Sequence, residues 1–211
     1  MKKILLIGDS IRGGYDKYVK MAFDGEAEVY YPAENCRFAA YIVRYLYDWK
    51  SKLGCGDDVD LVHFNVGLWD DLILLDGKPL TSLPVYCEYL DRIFGMIKIF
   101  FPKAKVIFAT STPVQEELFT REKRYNRDTE LYNAEAVKIA AAHGAEINDL
   151  YTLTANAPVE YHSDLTHFYT KEGTELITNQ VISVIEKALD IKAKALDYEA
   201  LFTKKEDFIG V

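Results

Sequence analysis

Apolar residues in this chain fall into two alternating kinds of segment. The first kind is short, nearly continuous and closed by turn residues: "KKILLIG" (2–8), "AEVYYP" (27–32), "DLVHFNVG" (60–67), "KVIFATSTP" (105–113) and a weaker "AEINDLY" (145–151). Such runs predict strands buried on both faces of a parallel sheet. The second kind is longer. In "FAAYIVRYLYDWKSKLG" (38–54), Ile42, Tyr45, Leu46 and Trp49 recur at the spacing of one helical face, and Gly54 and Gly56 close the segment. "PVYCEYLDRIFGMIKIFFPKA" (84–104) has Pro84 near its start and Pro102 beyond its end. "DTELYNAEAVKIAAAHGA" (128–145) stops near Gly144, and "TKEGTELITNQVISVIEKALD" (170–190) has Thr170 as its N-cap.

Strands and helices thus alternate nearly throughout, which predicts an α/β chain: a three-layer α/β/α, flavodoxin-like sandwich around a five-stranded parallel sheet of order 2-1-3-4-5. Residues 1–190 make one domain on this reading, and 191–211 form a tail with a weak helical pattern. Three placements of the tail stay open: packed on the domain, packed on a neighbouring subunit of a homo-oligomer, or partly loose. In such sheets chemistry gathers at the carboxyl ends of the strands. Gly8-Asp9-Ser10 follows the first strand, "NVGLWD" (65–70) ends the third, and Thr110-Ser111-Thr112 end the fourth.

Composition narrows the function. The 211 residues are 49% hydrophobic, enough for a full core, and carry a formal net charge of -8, which disfavours a phosphate backbone and so a nucleic-acid partner. The most basic stretch, "TREKRYNRD" (120–128), is interrupted by acidic residues and reads as a solvated helix start. The apolar run Ile4–Ile7 falls short of the ~7–15 residues of a secretory core, and no stretch reaches the ~18–20 of a membrane span. A cytoplasmic protein without membrane partners is the expectation. Cys36, Cys55 and Cys87 are odd in number and lack ligand spacing, which argues against disulfides and zinc; no metal and no cofactor are expected.

Ser10 is either a helix cap or a nucleophile. A serine nucleophile needs a base, normally histidine, and the histidine needs an orienting acceptor. His63 lies within a strand pattern and reads as a sheet-face residue, and His143 ends a helix beside Gly144, where it complements the dipole. In "EYHSDLTHFYTKEG" (160–173), Asp164 precedes His167 by three residues, so that in a turn-like backbone both point the same way; His162 has no carboxylate at that spacing. For an oxyanion, the Ser10 N–H lies at a helix start and Asn65 offers a side-chain amide from the end of the third strand. Asn35, after the second strand, joins the same rim.

"IGDS" after the first strand, an Asn-Gly block after the third and "DLTH" near the C-terminus together resemble the SGNH (GDSL-type) hydrolases, over positions 4 to about 190. The resemblance implies Ser10 as nucleophile, His167 as base, Asp164 as its orienter, and metal-free cleavage of esters, often acetyl or short acyl groups on carbohydrates and lipids. The pattern departs from the family in two places. No glycine stands between Ala33 and Leu53, so the N–H of Cys36 or Arg37 in "ENCRF" is the stand-in oxyanion donor. "GLWD" puts Trp69 where the family usually has Asn, which leaves Asn65 as the side-chain donor. Asp9, Asn35 and Trp69 are the expected substrate contacts. The expected substrate is a small ester, an O-acetylated sugar first; the alternatives are a lipid esterase or thioesterase and a non-catalytic α/β binding module. A nucleotide-binding role is disfavoured, since Gly8-Asp9-Ser10 lacks GxGxxG or GxxxxGK[ST] spacing.

Overall fold

A computed structural model describes residues 1–203. Five strands, β1 (Lys2–Ile7), β2 (Ala27–Tyr30), β3 (Leu61–Asn65), β4 (Lys105–Ala109) and β5 (Glu146–Asn148), form one sheet of order β2-β1-β3-β4-β5. Every pairing is parallel. This is the expected topology. The central strands read as unbroken apolar runs because both faces are covered. Ile4 and Leu6 pack toward α1 (Ser10–Ala22) and α6 (Lys171–Leu189). Leu5 and Ile7 pack toward α2 (Ala39–Leu53), α3 (Leu83–Phe100) and α4 (Asn126–Ala142). Full burial of one such side chain stabilises the fold by roughly 1.5–3 kcal/mol, and Leu6→Ala would cost about 2–5 kcal/mol.

The register aligns the functional strand ends. Ile7 pairs with Phe64, Asn65 with Ala109, and Ala109 with Asn148, so the residues just past β1, β3 and β4 share one edge. His63 faces α1 and is fully buried: Tyr15 Oη lies 3.3 Å from its Nδ1, and Asn148 Nδ2 lies 3.1 Å from its Nε2. Burial drives its pKa down to about 3, so it is a neutral sheet-face residue.

Two boundaries differ from the sequence reading, and the tail takes one of its expected placements. The fifth strand ends at Asn148, because Asp149 turns the chain into a helix, α5 (Leu150–Ala155), by accepting the Thr152 N–H at 3.0 Å. The "TREKRYNRD" stretch is not a solvated helix start throughout: α4 begins only at Asn126, and Arg124 is 6% exposed. The tail lies on the domain as far as it is described. Lys194 N–H donates to Ala22 O at 2.7 Å, and Tyr198, in α7 (Tyr198–Leu201), packs on Tyr18 and donates to Asn179 Oδ1 at 3.1 Å. Residues 204–211 of the tail lie outside the described part.

Candidate active site

Ser10 is the first residue of α1, and its placement follows from the turn before it. The Asp9 side chain caps the helix, with Oδ1 accepting the Ile11 N–H at 2.9 Å. The Ser10 N–H is left as a first-turn donor at the positive end of the helix. Only glycine fits at position 8, since a Cβ there would stand 2.0 Å from Asn65 Oδ1. Gly14, one turn into α1, lets the Tyr169 ring approach; a Cβ would meet its Cε1 at 2.9 Å. Tyr169 Oη then donates to the Ser10 carbonyl at 2.5 Å.

The loop between α5 and α6 delivers the other groups. His167 Nε2 lies 2.8 Å from Ser10 Oγ, and His167 Nδ1 lies 2.8 Å from Asp164 Oδ2. The Thr166 and His167 N–H groups both donate to Asp164 Oδ1, at 2.7 and 2.9 Å. Burial acts to raise the Asp164 carboxyl, but the His167 hydrogen bond, the imidazole's charge and those two N–H donors hold it well below the usual carboxylate range. An ionised Asp164 can only accept, so Nδ1 carries the imidazole proton and Nε2 is free to accept the Ser10 O–H. The Tyr169 ring stacks on His167 with centroids 4.5 Å apart. Gln115 grips the same loop: its Nε2 donates to Asp164 O and its N–H to Leu165 O, both at 2.9 Å. His162 stays outside the relay and packs its ring on Phe168, 3.9 Å between centroids.

Three of the expected oxyanion donors are also hydrogen-bonded within the protein, the Asn65 NH2 through one of its two N–H groups. The Asn65 amide donates to Asp9 Oδ1 at 2.8 Å, because a buried carboxylate draws in the nearest donor. Cys36 N–H donates to Gly8 O at 3.1 Å, and Arg37 N–H to Asn35 Oδ1 at 2.8 Å. Of the four donors read from the sequence, Asn65, Cys36 and Arg37 therefore have acceptors within the protein. Arg37 adopts φ 54°, a conformation that glycine takes at no cost, and the Asn35 side chain holds the turn without one. Arg12 ties this loop to α1, donating to Pro32 O at 3.0 Å and Glu34 O at 2.7 Å while pairing with Asp16 at 2.6 Å.

The expected substrate contacts separate too. Asp9 is fully buried, caps α1 and accepts the Asn65 amide, and it lines with Ser10 the cleft that Asn35 shares. Asn35 lines, with Ser10, Arg12, Asp16 and Ala33, this small cleft. Trp69 is half-buried between β3 and Asp70, whose carboxylate accepts the Ala39 N–H at 3.1 Å at the start of α2. Burial pushes Asp70 up to about 7, and pushes Asp71 up to about 6 despite its Arg124 partner. Sequence reasoning missed Tyr169, Gln115 and the Arg124–Asp71 pair. Tyr169, two residues past His167, carried the only local signal.

Among the described residues no helix is long and apolar enough to cross a membrane. No family model matches the chain, and no curated protein matches it in sequence. Solved structures do match, and with this sheet order they show the fold: the chain has the α/β/α fold of the SGNH (GDSL-type) hydrolases. A lipase/acylhydrolase from Enterococcus faecalis is 22% identical, with a TM-score of 0.69 over 93% of this chain and 100% of that one. An acetyl xylan esterase is 16% identical, with a TM-score of 0.67 over 87% and 99%. The psychrotrophic esterase EstA from Pseudoalteromonas, solved inhibited by monoethylphosphonate, is 14% identical, with a TM-score of 0.68 over 90% and 100%.

Proposed function

We propose that this chain is a serine ester hydrolase that removes short acyl groups, acetyl first, from a carbohydrate. The observation that carries the reading is the continuous relay from Ser10 Oγ through both His167 nitrogens to Asp164, with 2.8 Å at each junction. Ser10 Oγ attacks the ester carbonyl carbon as its proton passes to His167 Nε2. Asp164 stabilises the imidazolium. The Ser10 N–H, at the N-terminus of α1, faces the developing oxyanion. Collapse breaks the ester C–O bond, and the Nε2 proton goes to the leaving alcohol. Water then repeats the sequence on the acyl-enzyme and releases the acid.

The cleft beside Ser10 supports a small polar substrate, since Gly13, Ala33, Asn35, Arg12 and Asp16 line it with no large apolar side chain. The acetyl xylan esterase among the fold relatives supports an acetylated sugar. Cys36, Cys55 and Cys87 are free thiols, which supports a cytoplasmic setting. A lipid ester or thioester is the second reading; exposed Leu74, Leu75 and Leu80, between β3 and α3, favour it. The test is hydrolysis of p-nitrophenyl acetate by purified protein, followed by acetylated sugars against longer acyl esters. Activity lost in Ser10→Ala and highest on acetylated sugars supports the proposal. Equal rates in wild type and Ser10→Ala would sink it, and a preference for long acyl chains would move it to the second reading.

A further inference from the structure

Arg124 is among the buried charges that the proposed reaction leaves unused. Arg124 lies in the segment between β4 and α4. Its Nε donates to Asp71 Oδ1 at 3.1 Å and its Nη1 to Thr166 Oγ1 at 3.3 Å. Asp71, also buried, receives Thr129 Oγ1 on its other oxygen at 2.6 Å. Thr166 passes the connection on, since its N–H donates to the Asp164 oxygen that also takes the His167 N–H. One guanidinium thus joins the loop after β3, the start of α4 and the loop that carries Asp164 and His167.

Stability is a poor explanation for this pair. Taking a guanidinium and a carboxylate out of water costs about as much as their attraction returns, and an apolar pair of the same size often serves a fold equally well. The loop it grips has no regular secondary structure between the short 3₁₀ turn Val159–Tyr161 and α6, so side-chain hydrogen bonds must set its shape. A guanidinium is suited to that work because its donors lie in a fixed planar fork. We propose that Arg124, with Asp71 as its counter-charge, is a positioning residue: it fixes Thr166 so that Asp164 Oδ2 meets His167 Nδ1 while Nε2 meets Ser10 Oγ. The inference rests on the ester-hydrolase reading. Proximity effects of this kind are steep, since a misplacement of about 1 Å can cost on the order of 10²-fold in rate.

Two conservative variants test it. Thr166→Val removes the acceptor but keeps the side-chain shape and the Arg124–Asp71 pair. Arg124→Lys keeps the charge and loses the fork. Each should lower kcat on p-nitrophenyl acetate by about 10-fold or more, with KM and melting temperature close to wild type. The double variant should fall no further than Arg124→Lys, because both changes break one shared link. The NMR resonance of the His167 Nδ1 proton should move or broaden in both single variants. Folded variants with kcat within about twofold of wild type and an unmoved resonance, or losses that multiply in the double variant, would overturn the proposal. If Arg124→Lys fails to fold, Thr166→Val alone decides. A wild type inactive on every ester overturns the hydrolase reading instead, and the resonance comparison still tests the positioning.

Discussion

The two sides of the Ser10 hydroxyl are built differently. On the proton-accepting side, one short loop supplies Asp164, Thr166 and His167, and its polar groups converge on the serine. On the side where an oxyanion would form, three loops meet, and their donors turn inward: Asn65 to Asp9, Cys36 to Gly8, Arg37 to Asn35. In the proposed hydrolase the first side moves the proton. The second is a hydrogen-bonded frame around the α1 N-terminus, where the Ser10 N–H and the helix dipole favour negative charge.

The comparison can be broken most forcefully on the relay side. Ser10→Ala and His167→Ala should each lower kcat by at least about 10³-fold with the fold intact, measured on p-nitrophenyl acetate. Asp164→Asn should cost about 10²-fold or more, because an amide can no longer hold the imidazole in the tautomer that accepts the serine proton. On the oxyanion side the expected pattern is reversed. Asn65→Ala should cost about 1–3 kcal/mol in denaturant unfolding, since Asp9 loses a buried donor. Its kcat should fall less than the about 10²–10³ of a lost oxyanion donor; a full loss of that size would return Asn65 to the oxyanion. Tyr169→Phe removes the donor to the Ser10 carbonyl, keeps the ring on His167, and should cost about 0.5–1.5 kcal/mol.

The smallest effect is one of pH. Asp70 titrates at about 7 in the folded chain against an ordinary 3.8, because burial disfavours its charge. Between those values the unfolded chain ionises while the fold keeps the proton, so stability declines as pH rises through that window. Asp71, at about 6, acts in the same direction. Asp164 is shifted down and acts oppositely, losing its contribution as pH falls below the ordinary value. Asp70→Asn should therefore raise the melting temperature relative to wild type more at about pH 8 than at about pH 5. A difference independent of pH would contradict the assignment.

What was legible in the sequence follows the same division. The strands were legible because a sheet covered on both faces demands continuous apolar runs, and Asp164 with His167 because three residues of one turn fix their relation. Donor pairing on the other side was not legible. Whether the Asn65 amide meets an oxyanion or Asp9 depends on how closely Gly8 lets β3 approach β1, which no local spacing encodes. Arg124 was hidden for a related reason. Among mixed charges a basic residue reads as solvated, and only the fold brings Asp71, 53 positions away, to its guanidinium. The end of β5 is not legible because Asp149 sits inside an apolar run on paper while its side chain caps α5.

The central claim is that Ser10 is a nucleophile activated by His167. It is tested most directly by treating the protein with a p-nitrophenyl alkylphosphonate and mapping the adduct by peptide mass spectrometry. The account predicts a single adduct on Ser10 that forms in wild type and is nearly abolished in His167→Ala. An adduct on another residue, or equal labelling of Ser10 with and without His167, would contradict it.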